Sequence, residues 1–306
     1  MTTPPADVRV GTASWTEKTL LESGTFYPQS ARTAEQRLRY YAARFRVVEV
    51  DATYYALPSA RNAVAWVERT PDDFLFGVKA FSAMTGHPVE PKRLDRDLVA
   101  ALPPAMQRAR SIVAGILPPE IDDEIWRRFR DNLTPLRKAD KLAYVLLQMP
   151  PWFAPSDETR AHLERMVTRL GDLRCAIEFR ESGWLAPDQA ETTLGWLQRR
   201  KLAYVCVDEP QGTRASVPPI AEATSNDLAV VRFHGRRVET WTRPGVSTTE
   251  RFQYRYATDE LSEWVPRIHA LARRTSRVLA LMNNCYRSYA VENATELAAL
   301  LRDTPS

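Results

Sequence analysis

Eight short apolar runs, most of them followed by a helical stretch and ending in charged or amide residues, constrain this chain more than any other feature. The runs fall at 8–14, 47–54, 74–80, 143–149, 174–180, 202–208, 228–236 and 277–284. Between them lie patterns of helical period. Thr33-x-x-Gln36 forms a capping box ahead of Leu38, Tyr41 and Phe45, Ser59 opens a helix that Pro71 stops, and Ser156 caps another that reaches residue 170. Further helical patterns cover 122–136, 187–200, 259–275 and 295–302. Strands that alternate with helices form parallel sheets, and eight of them close into a (β/α)8 TIM barrel. A doubly wound open sheet is the competing fold. It would place G-x-G-x-x-G after the first strand, where this chain has Gly11-Thr-Ala-Ser-Trp15. The expectation is a single TIM-barrel domain over residues 1–306.

One segment breaks the rhythm. Residues 81–120 contain Pro88, Pro91, Pro103, Pro104, Pro118 and Pro119, which predicts an irregular excursion after strand 3 with a short helix somewhere in 98–117. As a βα connection, it should lie on the rim at the C-terminal ends of the strands.

That rim is where such barrels build their sites. Period-two alternation places Val230, Arg232 and His234 on one face of the seventh strand, against Ala229, Val231 and Phe233. The same procedure assigns Thr12, Ser14, Glu49, Asp51, Lys79, Gln148, Glu178, Arg180, Asp208 and one of Asn283 and Asn284 to the inner face at the strand ends. Buried charges are costly unless paired, so this set predicts a polar cavity. Glu178, His234, Glu49 and Asp208 are candidates for acid/base catalysis. Lys79, Arg180, Arg232, Gln148, Asn283, Asn284 and Asp51 are candidates for holding substrate. Self-neutralising ion pairs are the plainer alternative.

No cofactor is expected. Glu49, Asp51, Glu178, Asp208 and His234 could supply divalent-metal ligands. No HxH or HExxH spacing supports them, and Lys79, Arg180 and Arg232 would crowd a cation.

The motifs Gly11-Thr-Ala-Ser-Trp15, Phe26-Tyr-Pro28, Val48-Glu-Val-Asp-Ala-Thr-Tyr-Tyr55, Gln148-Met-Pro-Pro151, Glu178-Phe-Arg180, Arg232-Phe-His-Gly-Arg236 and Asn283-Asn-Cys285 resemble, in this order, those of the YecE-like family, catalogued as domain of unknown function 72. The resemblance runs from Val8 to about Leu301. It implies a TIM barrel and supplies no activity. This chain departs from the family pattern at Asp51, where the family usually has Asn, and at Glu181, where it commonly has His. Both changes add negative charge near the expected mouth. Metal-dependent barrel nucleases and sugar isomerases are related only at the level of fold.

Composition narrows the partners. The formal charge is +4, but 36 of the 42 cations are Arg, so the excess indicates no particular partner. Cys175, Cys206 and Cys285 form no CxxC pair and are expected to be reduced thiols. Residues 1–7 lack a cationic and apolar leader, and no apolar run approaches the ~20 residues of a membrane span, so the expectation is a soluble cytoplasmic protein. Two functions remain. One is a hydrolase- or lyase-type enzyme acting on an anionic small molecule or phosphoester clamped by Arg180, Arg232 and Lys79. The other is a non-catalytic nucleic-acid-binding barrel using Trp15, Tyr54, Tyr55, Trp152 and Trp184. Nothing in the sequence fixes the oligomeric state.

Overall fold

The computed structural model describes residues 6–303, so the part of the leader reading that rests on residues 1–5 lies outside the described residues. The eight strands are β1 (Asp7–Thr12), β2 (Val47–Val50), β3 (Leu75–Lys79), β4 (Leu142–Gln148), β5 (Cys175–Glu178), β6 (Ala203–Asp208), β7 (Ala229–Phe233) and β8 (Arg277–Met282). They pair in sequence order, all parallel, and β8 closes onto β1. This is the expected TIM barrel. Closure leaves no sheet edge, and helices cover the outer face except after β6, where the irregular 209–228 connection takes a helix's place and bonds to Tyr204 and Cys206.

The helices follow their sequence signals. Thr33 and Gln36 make the anticipated capping box of Ala34–Ala42, and Ser156 caps Asp157–Leu170. The expected 259–275 helix is split into Thr258–Ser262 and Val265–Ala272, with Pro266 in the first turn of the second piece, where its missing N–H costs nothing. The last helix begins earlier than expected, at Tyr289, and a short helix at Lys18–Ser23 had no apolar period to announce it.

Residues 81–120 form short pieces. They include the helices Arg96–Ala101 and Pro104–Gln107 and a lone antiparallel bridge between Val89 and Ile112. Pro103 and Pro104 prevent the helix expected within 98–117 from extending. Leu98, Leu102, Ile112 and Leu117 are nevertheless buried, so the excursion packs on the barrel through its own apolar side chains.

Register decides which residues look inward. Gly11, Leu281 and Arg232 are aligned across β1, β8 and β7, and Glu49 aligns with Gly77 across β2 and β3. Thr12 is thus on the outer face, bonded to Tyr41 of the Ala34–Ala42 helix, and its inward placement is corrected; Ser14 lies past the end of β1, where its hydroxyl accepts from the Thr16 N–H. Gly77 has a steric reason. A Cβ there would lie 2.5 Å from Cζ of the inward-facing Tyr144 ring. Gly77→Ala is therefore expected to cost about 1–3 kcal/mol by overpacking. Urea denaturation would measure it, and an unchanged midpoint would show that Tyr144 has room to move.

Candidate functional site

The strands stop early at the rim. β5 ends at Glu178, β7 at Phe233 and β8 at Met282, which leaves Arg180, His234 and Asn283 one or two residues into the loops, still directed toward the axis. Beneath the mouth lies a closed charge network. Arg232, fully buried, donates from Nη2 to Glu49 Oε1 at 2.6 Å and from Nη1 to Glu178 Oε2 at 2.5 Å. Tyr144 Oη donates to the other oxygen of Glu49 at 2.7 Å. Arg180 donates from Nε to Glu178 Oε1 at 2.5 Å and from Nη1 to Glu209 Oε2 at 2.9 Å, while Glu209 Oε1 accepts from the Val217 N–H at 2.8 Å.

His234 sits 3.0 Å from Arg180 Nη2 through Nε2 and 2.8 Å from Asn283 Nδ2 through Nδ1. Burial, reinforced by Arg180, pushes its imidazole down to about 3, so the ring is neutral at physiological pH. Burial also pushes Glu178 up, but Arg180 and Arg232 outweigh it and hold the carboxyl well below the usual range. Burial raises Glu49 despite Arg232, and it raises Glu209 to about 8 against Arg180 and the Val217 N–H.

Above this layer opens a cavity of about 470 Å³. Asp51, Lys79, Gln148, Arg180 and Asn283 form its lower part. Lys79 Nζ lies 3.0 Å from Asp51 Oδ1 and over the Tyr54 ring. Tyr54, Tyr55, His87 and Trp152 make one side, from the connections after β2, β3 and β4. The connection after β7 supplies the other side, with Trp241, Arg243, Arg251 and Phe252. The presence of His87 puts part of the 81–120 excursion on the rim, as a βα connection requires.

The geometry redistributes the candidates. Glu49, Glu178, Arg232 and His234 converge, but under the floor, with their polar atoms largely turned on one another. Arg232 does not face the cavity, so the clamp expected from Arg180, Arg232 and Lys79 loses its middle member. Asp208 is corrected outright. It aligns with Phe233 on the outer face, where its carboxylate accepts from Tyr256, Trp264 and Arg236. Asn284 likewise points outward, donating to the Tyr254 carbonyl and Asn293. Glu181 also leaves the mouth, taking the Gly183 N–H and Arg214.

Sequence reasoning missed Glu209, Tyr144, His87, Arg243 and Arg251. For Glu209 the misleading pattern was Tyr204, Cys206 and Asp208, which lie on the outer face. Val205 and Val207 are equally apolar, so periodicity offered no way to choose between the faces. Arg243 and Arg251 were legible only as basic residues in the long connection after β7.

Regarding metals, no group of three or more His, Cys, Asp or Glu side chains among the described residues is arranged to hold an ion. Arg180 and Arg232 lie within the carboxylate cluster and already occupy the places a cation would take. Nor is any helix among the described residues long and apolar enough to cross a membrane.

Fold and site together define a TIM-barrel protein whose mouth is floored by a buried arginine–glutamate network and walled by arginines and aromatic rings. The family model described as protein of unknown function DUF72 matches residues 9–306, and the chain belongs to that family. It is 33% identical over 297 residues to the UPF0759 protein YunF of Bacillus subtilis (strain 168), covering 96% of this chain and 94% of that protein. It is 27% identical over 183 residues to the UPF0759 protein YecE of Escherichia coli O157:H7, covering 60% of this chain and 56% of that one. A crystal structure of a DUF72 family protein from Thermotoga maritima superposes with a TM-score of 0.74 at 28% identity, covering 97% of this chain and 99% of the other. One from Enterococcus faecalis reaches 0.75 at 24% identity, covering 98% and 97%, and shows likeness of fold.

Proposed function

We propose that the barrel mouth binds an anionic small molecule or phosphoester and acts on it by acid/base chemistry of the hydrolase or lyase type. The observation that carries this reading is the pair Arg243 and Arg251. Both line the cavity, and neither guanidinium has a hydrogen-bonding or ionic partner among the described residues, Arg251 Nε being buried and unbonded. Lys79 and Arg180 add two more cations, whereas Asp51 is the one carboxylate among the lining residues. Cations left unpaired in a recess are best satisfied by an anion, whose oxygens accept several charge-assisted hydrogen bonds.

Proton transfer falls to groups that touch the cavity. Asp51, paired with Lys79, can take a proton while Lys79 offers one. His87, which burial together with Lys79 and Arg180 pushes down to about 3, contributes a neutral ring. Glu178, Glu209 and His234 act as positioning residues, holding three nitrogens of Arg180 so that its remaining N–H groups serve the ligand. A cytoplasmic setting is proposed as well, supported by the free thiols of Cys175, Cys206 and Cys285.

Calorimetric titration with orthophosphate and pyrophosphate tests the reading. Arg243→Ala and Arg251→Ala should each weaken binding by about 10–100-fold, the scale of a lost charge-assisted hydrogen bond. Absence of binding to the unsubstituted protein, or equal affinities in all three, would overturn it. A steep fall in affinity with salt, for oligonucleotides and not for phosphate, would favour a nucleic-acid surface instead.

A further inference from the structure

The aromatic side of the same cavity carries information that the anion reading leaves unused. Tyr55 and Trp152 are 43% and 60% exposed, more than any other Phe, Tyr or Trp side chain among the described residues. Both line this cavity. They are the ends of a continuous row of rings. Tyr55 meets Tyr54 at 5.0 Å between centroids, Tyr54 meets His87 at 5.3 Å, and His87 meets Trp152 at 5.8 Å, each pair edge to face. Each edge-to-face contact uses one ring's edge against its neighbour's face, and Lys79 and Arg93 lie over Tyr54 and Tyr55, so Trp152, the most exposed ring, is the one best able to take a ligand ring. The row is drawn from three successive βα connections, so it is assembled by the barrel and not by one flexible loop.

His87 belongs to the row as a neutral ring. The charged and titratable groups facing it are Lys79 and Arg180, and both oppose its protonation. Across the mouth, Arg243 and Arg251 present their unpaired guanidiniums. The cavity therefore has one side led by the exposed Trp152 and another where Arg243 and Arg251 stand beside Trp241 and Phe252. Its volume of about 470 Å³ is within the ~300–1,000 Å³ of small-molecule sites.

Resting on the anion-binding reading, we infer that the ligand is a phosphorylated heteroaromatic compound of mononucleotide size, its ring stacked on the exposed Trp152 and its phosphate on the arginine side. Stacking of a base on an aromatic side chain is sequence-tolerant and contributes about 1–3 kcal/mol, or roughly 5–150-fold in affinity. A ring is thus a larger source of selectivity here than any single hydroxyl contact.

Calorimetric titration of the full chain with AMP, ribose 5-phosphate and adenosine separates the two halves. AMP should bind at least about tenfold more tightly than ribose 5-phosphate. Trp152→Ala should erase that ratio while leaving ribose 5-phosphate affinity unchanged, and Trp152→Phe should restore most of it. Trp152 is exposed, and circular dichroism checks that both variants fold. If AMP binds no better than ribose 5-phosphate, or if the ratio survives Trp152→Ala, the heteroaromatic assignment falls and the anion reading stands. If AMP binds no better than adenosine, it is the anion reading that fails. If none of the three binds, both are overturned.

Discussion

Replacing Arg232 by methionine is expected to destabilise the fold by about 3–5 kcal/mol, the cost of breaking a buried ion pair from one side. The guanidinium lies between Glu49 and Glu178, all three are fully buried, and it donates to both carboxylates. Methionine matches much of its length but supplies no hydrogen bond or charge. Two carboxylates would then face each other in an apolar interior, where an unpaired charge must neutralise or draw in water. Urea denaturation at neutral pH measures the loss. Adding Glu49→Gln to Arg232→Met should recover part of it, because the remaining Glu178 keeps Arg180 as counter-ion. A loss below about 1 kcal/mol would mean that the network is hydrated, and the floor would then have to be redrawn as part of the cavity.

The second large effect is acid sensitivity. His234 is held at about 3 in the folded protein by burial and by Arg180, against an ordinary value near 6.5. Between those values the unfolded chain binds a proton that the folded protein refuses, so folding weakens as pH falls through this window. The slope is about 1.4 kcal/mol for each pH unit below 6.5, on the order of 3 kcal/mol by pH 4.5. Glu178 acts in the same direction further down. Its folded value is depressed, so its contribution is complete above the unfolded carboxyl range near 4.5 and is lost on further acidification.

Glu209 opposes them. Its folded value is raised to about 8, so its contribution is present below about 4.5 and is lost as pH rises through 8. His87, held at about 3, has the same sign as His234. The clean measurement is therefore a difference. Stability of wild type minus His234→Gln, followed by urea denaturation from pH 7.5 to 4.5, should become less favourable to wild type as the medium is acidified. A flat difference would mean that the imidazole is reached by protons in the folded state.

Much of this protein is set locally along the chain. Eight apolar runs alternating with capped helices admit few architectures other than a closed parallel barrel, because apolar strands need cover on both faces and the intervening helices provide it. The C-terminal ends of those runs likewise identify Glu49, Lys79, Gln148, Glu178, Arg180, Arg232, His234 and Asn283 as inward and near one rim. Local pattern fails where a strand is apolar on both faces. In β6 nothing in the residues distinguishes inside from outside, and in β1 the alternation misleads, because the apolar Val8 and Val10 pack outward with Thr12 while Gly11 faces in; Asp208 is likewise outer and Glu209 inner.

Depth, too, is a property of the closed barrel alone. Arg232 and Glu49 are 183 positions apart in sequence and meet only because the sheet closes. That meeting turns an expected ligand clamp into a floor. The cations left facing the cavity, Arg243 and Arg251, come from a connection with no strand period to mark them. Residue types and spacing thus determined which charges gather at the rim. The tertiary structure decided which of them neutralise one another in the low-dielectric interior and which remain open to a ligand, because pairing depends on distances that only chain closure sets.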